Sequence, residues 1–154
     1  MLQKFEKSLI PWMGKTIKMI DHIIEGEFEN NQIDLSKTQF VLLKIIQDNE
    51  GIQQNEITPI LNRNKSSLTR MITTLEEKKL LIRTISNEDK RAKTLQLTTK
   101  GNKTVEKAIP ILLGVIKALE TGLTKEEVQA TIGVLKKIQT NITSSEVGIC
   151  LNNK

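Results

Sequence analysis

Side chains suited to nucleophilic, redox or metal chemistry are nearly solitary in this chain of 154 residues, which holds one histidine, His22, and one cysteine, Cys150. A metal site needs several such ligands close together. His22 has no cysteine and no second histidine beside it, so a surface or interface imidazole is its default reading. Cys150 cannot form an intramolecular disulfide, and its place in a polar final segment reads as an incidental thiol rather than a redox sensor. The recognised Gly-rich phosphate loops and the nucleophile–base signatures do not occur. The sequence therefore offers no catalytic residue, no metal and no cofactor, and an enzyme is not expected.

What remains is cationic and hydrogen-bonding chemistry. The net charge is +5, and between Glu50 and Gly101 ten Lys or Arg face six Asp or Glu, so most of the excess lies in the middle third. Such a balance favours a polyanionic partner. Aromatic residues make up 3% of the chain and Tyr is absent, which disfavours single-stranded nucleic acid, where bases stack on aromatic faces. Duplex backbone is the better candidate. Two groups of residues could meet it: Lys65 to Thr73, where Ser66, Arg70 and Thr73 fall opposite the apolar stripe Leu68, Met71, Ile72 and Leu75, and the basic run Lys90, Arg91 and Lys93.

The elements that must position these residues are legible from periodicity and capping. Leu9, Met13, Ile17, Ile20 and Ile24 share one face of a helix expected from about Leu9 to Glu29. Ser36 and Gln39 form a capping box, with Leu35 and Phe40 as its staple, and Gly51 suits a left-handed cap after the second helix. Ile57, Ile60 and Leu61 mark a third helix, which Pro59 should keep short or distorted. The fourth carries the Leu68 stripe. After Leu80 the pattern turns extended, with Leu81 to Ile85 and Thr94 to Leu97 flanking the charged Ser86–Lys93 segment, a long-looped hairpin. Thr98 can cap a fifth helix bearing Val105, Ile109, Leu112, Ile116 and Leu119, in which Pro110 should produce a kink. Thr124 and Glu127 open a sixth, which carries Ile132, Leu135, Ile138 and Ile142.

A short helix, a polar-faced helix and a hairpin with a basic tip are the ingredients of a winged helix-turn-helix, in which one helix reads the major groove and the hairpin reaches the neighbouring backbone or minor groove. The runs Asn64-Lys65-Ser66-Ser67-Leu68-Thr69-Arg70-Met71, Leu75-Glu76-Glu77-Lys78-Lys79-Leu80-Leu81-Ile82-Arg83, Asp89-Lys90-Arg91-Ala92 and Leu97-Thr98-Thr99-Lys100-Gly101 resemble, in order and spacing, the MarR family of bacterial transcriptional regulators.

That resemblance implies a mainly α fold with a small β-hairpin. Residues 1–33 and 99–143 would form a helical dimerisation domain, 34–98 the DNA-binding lobe, and 144–154 a flexible tail. It implies a homodimer reading a pseudo-palindromic operator in double-stranded DNA, with Lys65, Ser66, Ser67, Thr69, Arg70 and Thr73 on or beside the recognition face, Lys90 and Arg91 at the wing, and Asp89 bracing Arg91. Repression relieved by a small-molecule effector is the family default.

The chain departs from the family pattern at three places. Lys79 stands where glycine is usual, Thr58-Pro59 replaces small helix formers, and Ser86-Asn87 replaces an Asp-Pro pair. A left-handed Lys79 would cost on the order of 1 kcal/mol. Each site residue also has a plainer reading: Arg70 could pair with Glu76 or Glu77, the wing charges could be a solvated tip, and Trp12 and Met13 could pack a dimer core rather than line an effector pocket. The competing function is a winged-helix module that binds protein instead of DNA. The Leu9–Gly14 apolar cluster, broken by Pro11, lacks the continuous core of a secretory signal, and no stretch is long and uncharged enough for a membrane helix, so a cytoplasmic protein is expected.

Overall fold

Six helices and one hairpin form in the computed structural model, which describes residues 7–85 and 93–143. They are α1 (Leu9–Asn30), α2 (Lys37–Asp48), α3 (Gln54–Leu61), α4 (Lys65–Glu77), β1 (Leu81–Ile85), β2 (Lys93–Leu97), α5 (Thr99–Leu119) and α6 (Lys125–Thr143). By its internal contacts the chain divides after Ile116 into two units.

Helix starts follow local chemistry. Ser36 Oγ accepts the Gln39 N–H at 3.2 Å while Gln39 Oε1 accepts the Ser36 N–H at 3.0 Å, which closes the expected capping box on α2. Asn64 caps α4 through the Ser67 N–H at 2.8 Å, and Thr98 caps α5 through the Gly101 N–H at 3.0 Å. Gln53 donates its N–H to Glu56 at the start of α3, at 2.7 Å. In the second unit Thr124 and Glu127 exchange the same reciprocal bonds ahead of α6.

The ends of α1, α3 and α4 follow a common pattern that uses no glycine. After α1, Gln32 N–H bonds Glu29 and Ile33 N–H bonds Phe28, with Gln32 left-handed at φ 57°. After α3, Asn62 at φ 47° bonds Pro59 while Arg63 bonds Thr58. After α4, Lys79 at φ 60° bonds Glu76 while Leu80 bonds Leu75. Each is a Schellman motif, in which a left-handed residue lets two successive N–H groups reach back to the last turn. Gly51, expected as the cap of α2, is left-handed at φ 79° but lies in the turn beyond Asn49, the residue that closes that helix.

The core of the first unit gathers Ile24 and Phe28 of α1, Phe40, Leu42, Leu43 and Ile46 of α2, Ile57 of α3, Leu68, Ile72 and Leu75 of α4, Leu81 and Leu95 of the hairpin, and Val105, Ala108 and Val115 of α5. Phe28 and Phe40 meet edge to face with centroids 6.0 Å apart. The antiparallel hairpin pairs Leu81 with Leu97 and Arg83 with Leu95. Leu95 also donates its N–H to Ile52 at 2.9 Å, and Gln53 bridges Thr94, so the segment before α3 lies along β2.

The α1 stripe is buried only at its C-terminal end, where Phe28 joins Ile24. Leu9 and Ile17, two of its expected members, stay exposed. In α5, Leu113 and Ile116 are exposed, and α6 has no buried residue. Pro59 lies inside an eight-residue helix, as expected, and α5 runs through Pro110 as one helix from Thr99 to Leu119. Among the described residues no helix is long and apolar enough to cross a membrane.

Candidate nucleic-acid interface

The amphipathic split of α4 decides which of its side chains face outward. Leu68, Ile72 and Leu75 are fully buried, so the spacing leaves Lys65, Ser66, Thr69, Arg70 and Thr73 exposed and Ser67 half-buried. Ser67 differs in role because its backbone N–H is held by the Asn64 cap. The expected recognition residues therefore lie together along one helix.

Hydrogen bonds set what this surface can offer. Thr69 Oγ1 donates to the Lys65 carbonyl at 2.8 Å and accepts Gln54 Nε2 at 2.7 Å, which ties α4 to α3. Thr73 donates its hydroxyl to the Thr69 carbonyl at 3.0 Å. With both hydroxyl hydrogens on backbone carbonyls and one Thr69 lone pair taken by Gln54, the threonines keep acceptor capacity suited to an exocyclic base amine. Arg70 contributes the opposite chemistry. It makes no ion pair among the described residues, so its five donors remain available for a guanine edge or a phosphate.

Of the two acids that could pair with Arg70, Glu76 is taken by another cation and Glu77 makes no ion pair among the described residues. Glu76 pairs with Arg83 of β1, and both side chains are 27% exposed. This ion pair joins α4 to the first strand of the hairpin. Sequence reading missed it because a seven-residue separation crosses from a helix into a strand, where helical spacing no longer applies. It also missed Gln54 as the partner of Thr69. Lys90, Arg91 and Asp89 lie outside the described residues, as does Cys150. His22 is exposed on α1.

At the far end of α4, three elements enclose a cleft of about 750 Å³: the turn after α1, the Lys78–Leu80 turn and the first half of α5. Lys78, Lys100, Lys103 and Lys107 all line it. No sequence expectation covered this cleft, although Lys100, Lys103 and Lys107 recur at helical spacing.

Comparison with known proteins agrees with this geometry. The model of the MarR family matches residues 35–93, the span from the start of α2 into β2. An uncharacterised HTH-type transcriptional regulator of Bacillus subtilis, YdcH, is 30% identical over 100 residues, covering 62% of this chain and 68% of that protein. The chain belongs to the MarR family. Transcriptional regulator HosA of Escherichia coli is 33% identical over 78 residues, and this MarR-family chain spans 58% of HosA's length. A MarR-family transcriptional regulator from Listeria monocytogenes, solved in complex with 26-mer DNA, has a TM-score of 0.79 at 27% identity, covering 96% of this chain and 97% of that one. The repressor CouR bound to a 23-mer DNA duplex shares the fold, with a TM-score of 0.81 at 23% identity over 90% and 97% of the two chains.

Proposed function

We propose that this chain is a sequence-specific, double-stranded-DNA-binding transcriptional regulator. The observation that carries the reading is the outward face of α4, where Arg70, without an ion pair among the described residues, lies beside the hydroxyls of Thr69 and Thr73. Lys65, Ser66 and Ser67 extend that face toward the helix start, and Lys90 and Arg91, braced by Asp89, form the wing contact. The solved Listeria relative in complex with DNA supports this use of the fold.

The working species is a cytoplasmic homodimer. Residues 34–98 form its DNA-binding lobe, and residues 1–33 with 99–143 supply the dimer contacts. Exposed Leu9, Ile10, Trp12 and Met19 on α1 support that assignment, since large apolar side chains left in solvent gain by burial against a second copy. Two copies present two α4 helices to a pseudo-palindromic operator. The regulator acts as a repressor, and a small-molecule effector releases it. Its DNA binding would then be ligand-controlled, like that of Bordetella bronchiseptica BpsR, which shares the fold and is regulated by 6-hydroxynicotinic acid.

The test is an electrophoretic shift with the DNA upstream of the chain's own gene, repeated across salt concentrations. With roughly six to ten phosphate contacts per dimer, affinity should fall on the order of a thousandfold or more between about 50 and 200 mM salt. A complex that forms only with protein, or a flat salt profile, favours the protein-binding module instead.

A further inference from the structure

The first half of α5 breaks a rule of helix design. Lys100, Lys103 and Lys107 follow one another at steps of three and four, so three like charges stack on one face within the first three turns of the helix. The first turn contains no acidic residue, although the positive end of the helix dipole favours one there. Local violations of this kind mark places where something other than folding sets the residue choice.

Part of the pattern has a structural account. Lys107 Nζ donates to the Asn31 carbonyl at 2.5 Å, and Lys100 Nζ donates to the Lys78 carbonyl at 2.9 Å. Those two carbonyls close α1 and α4, where a cation is favourable. Each ammonium still has two donors left after that bond. Lys103, midway between them, makes no hydrogen bond or ion pair among the described residues. The one carboxylate in the cleft, Asp34, is already paired with Lys78 at 2.8 Å. Four cations against one anion leave the cleft strongly positive.

We propose that this cleft binds a small soluble anion bearing two or three linked phosphate groups, through Lys100, Lys103 and Lys107. Its size is that of a ligand site, but its lining lacks aromatic side chains and includes only Ile33 and Leu80 as large apolar residues, both nearly buried. The cations are lysines, compact point charges suited to tetrahedral phosphate oxygens, and no arginine fork offers a planar carboxylate two parallel bonds. From Lys100 to Lys107 the helix rises about 10 Å, so one phosphate can meet neighbouring ammoniums while a chain of phosphates engages all three. None of the proposed base-reading residues, Lys65 to Thr73, lines this cleft, which meets α4 only at its C-terminal cap, Lys78.

Calorimetric titration of the full chain with sodium tripolyphosphate and with orthophosphate, at about 150 mM salt, tests the site without any DNA present. One tripolyphosphate should bind per chain, at least about tenfold tighter than orthophosphate, and Lys103→Gln should weaken it about tenfold or more. Lys136→Gln, which removes an exposed charge from α6, should leave affinity unchanged. Lys103 makes no bond that folding needs, and unaltered thermal melts of both variants confirm that they are folded. No binding, or equal loss in both variants, overturns the proposal. A duplex-DNA titration separates the two sources of phosphate. If Lys103→Gln weakens DNA binding as much as Arg70→Ala does, the lysine belongs to the DNA interface and the proposal falls. Because the calorimetry uses no DNA, it holds or fails independently of the regulator reading.

Discussion

The hydroxyl of Thr98 donates to the carbonyl of Lys79 at 2.7 Å, binding the cap of α5 to the one left-handed residue between α4 and β1. That bond, with Lys79 N–H on Glu76 and Leu80 N–H on Leu75, overdetermines a conformation that lysine disfavours. Lys79→Gly should therefore stabilise the fold by about 0.5–1 kcal/mol, the relief of left-handed strain less the added freedom of the unfolded chain. Urea unfolding that moves the midpoint upward at constant slope checks it. An unchanged midpoint would mean that the turn holds Lys79 without strain.

Gly101 meets the same turn from the other side. A Cβ built on it would lie 1.9 Å from the Leu80 carbonyl oxygen, a backbone atom that cannot swing aside. Gly101→Ala should cost about 3 kcal/mol or more, toward the upper end of overpacking effects, because α5 must shift away from the turn. The variant's denaturation curve reads this directly, and a loss below about 1 kcal/mol would show that the two segments part easily.

Arg70 and Arg91 should fail differently when replaced by Ala. Loss of Arg70 should cost roughly 1–3 kcal/mol on the preferred site and relax preference at one position in each half-site. Loss of Arg91 should weaken binding and chiefly erase any preference for A·T-rich flanks, where a narrow minor groove deepens the negative potential. Competition against a site library distinguishes them. Unchanged affinity and preference in both variants, with folding intact, would place the DNA on a different surface.

Light scattering at micromolar concentration should return twice the chain mass of 17.4 kDa. A clean monomer would remove the two-half-site arrangement. Replacing Leu9 and Ile10 together by Ser should shift the equilibrium toward monomer, since both are exposed apolar residues of α1.

Much of this was legible before any coordinates, for identifiable reasons. Ser36 with Gln39, and Thr124 with Glu127, declare helix starts because the capping chemistry is local, and the Leu68, Ile72 and Leu75 stripe fixes which way Arg70 must face. The missing glycine after α4 was legible too, and Lys79 takes the left-handed conformation anyway. What escaped depends on contacts between distant segments. The need for glycine at position 101 comes from Leu80, and the choice of Arg83 over Arg70 by Glu76 depends on where the hairpin leaves the helix. The exposed N-terminal half of α1 was hidden for a related reason. Periodicity reveals an apolar face but does not say whether the same chain covers it.

The alignment of Ile52 and Gln53 beside β2 bears on how the protein avoids unwanted self-recognition. A two-stranded hairpin ordinarily leaves two rows of backbone donors and acceptors open, and each row is a template onto which another chain can add a strand. Here Leu95 spends its amide on Ile52 and Thr94 is bridged by Gln53, so among the described residues the row along β2 is covered at the base of the hairpin and the row along β1 is not. That remaining row carries Arg83, a charged side chain of the kind that discourages strand addition. At its root the hairpin is thus closed along β2 and carries a charged side chain along β1.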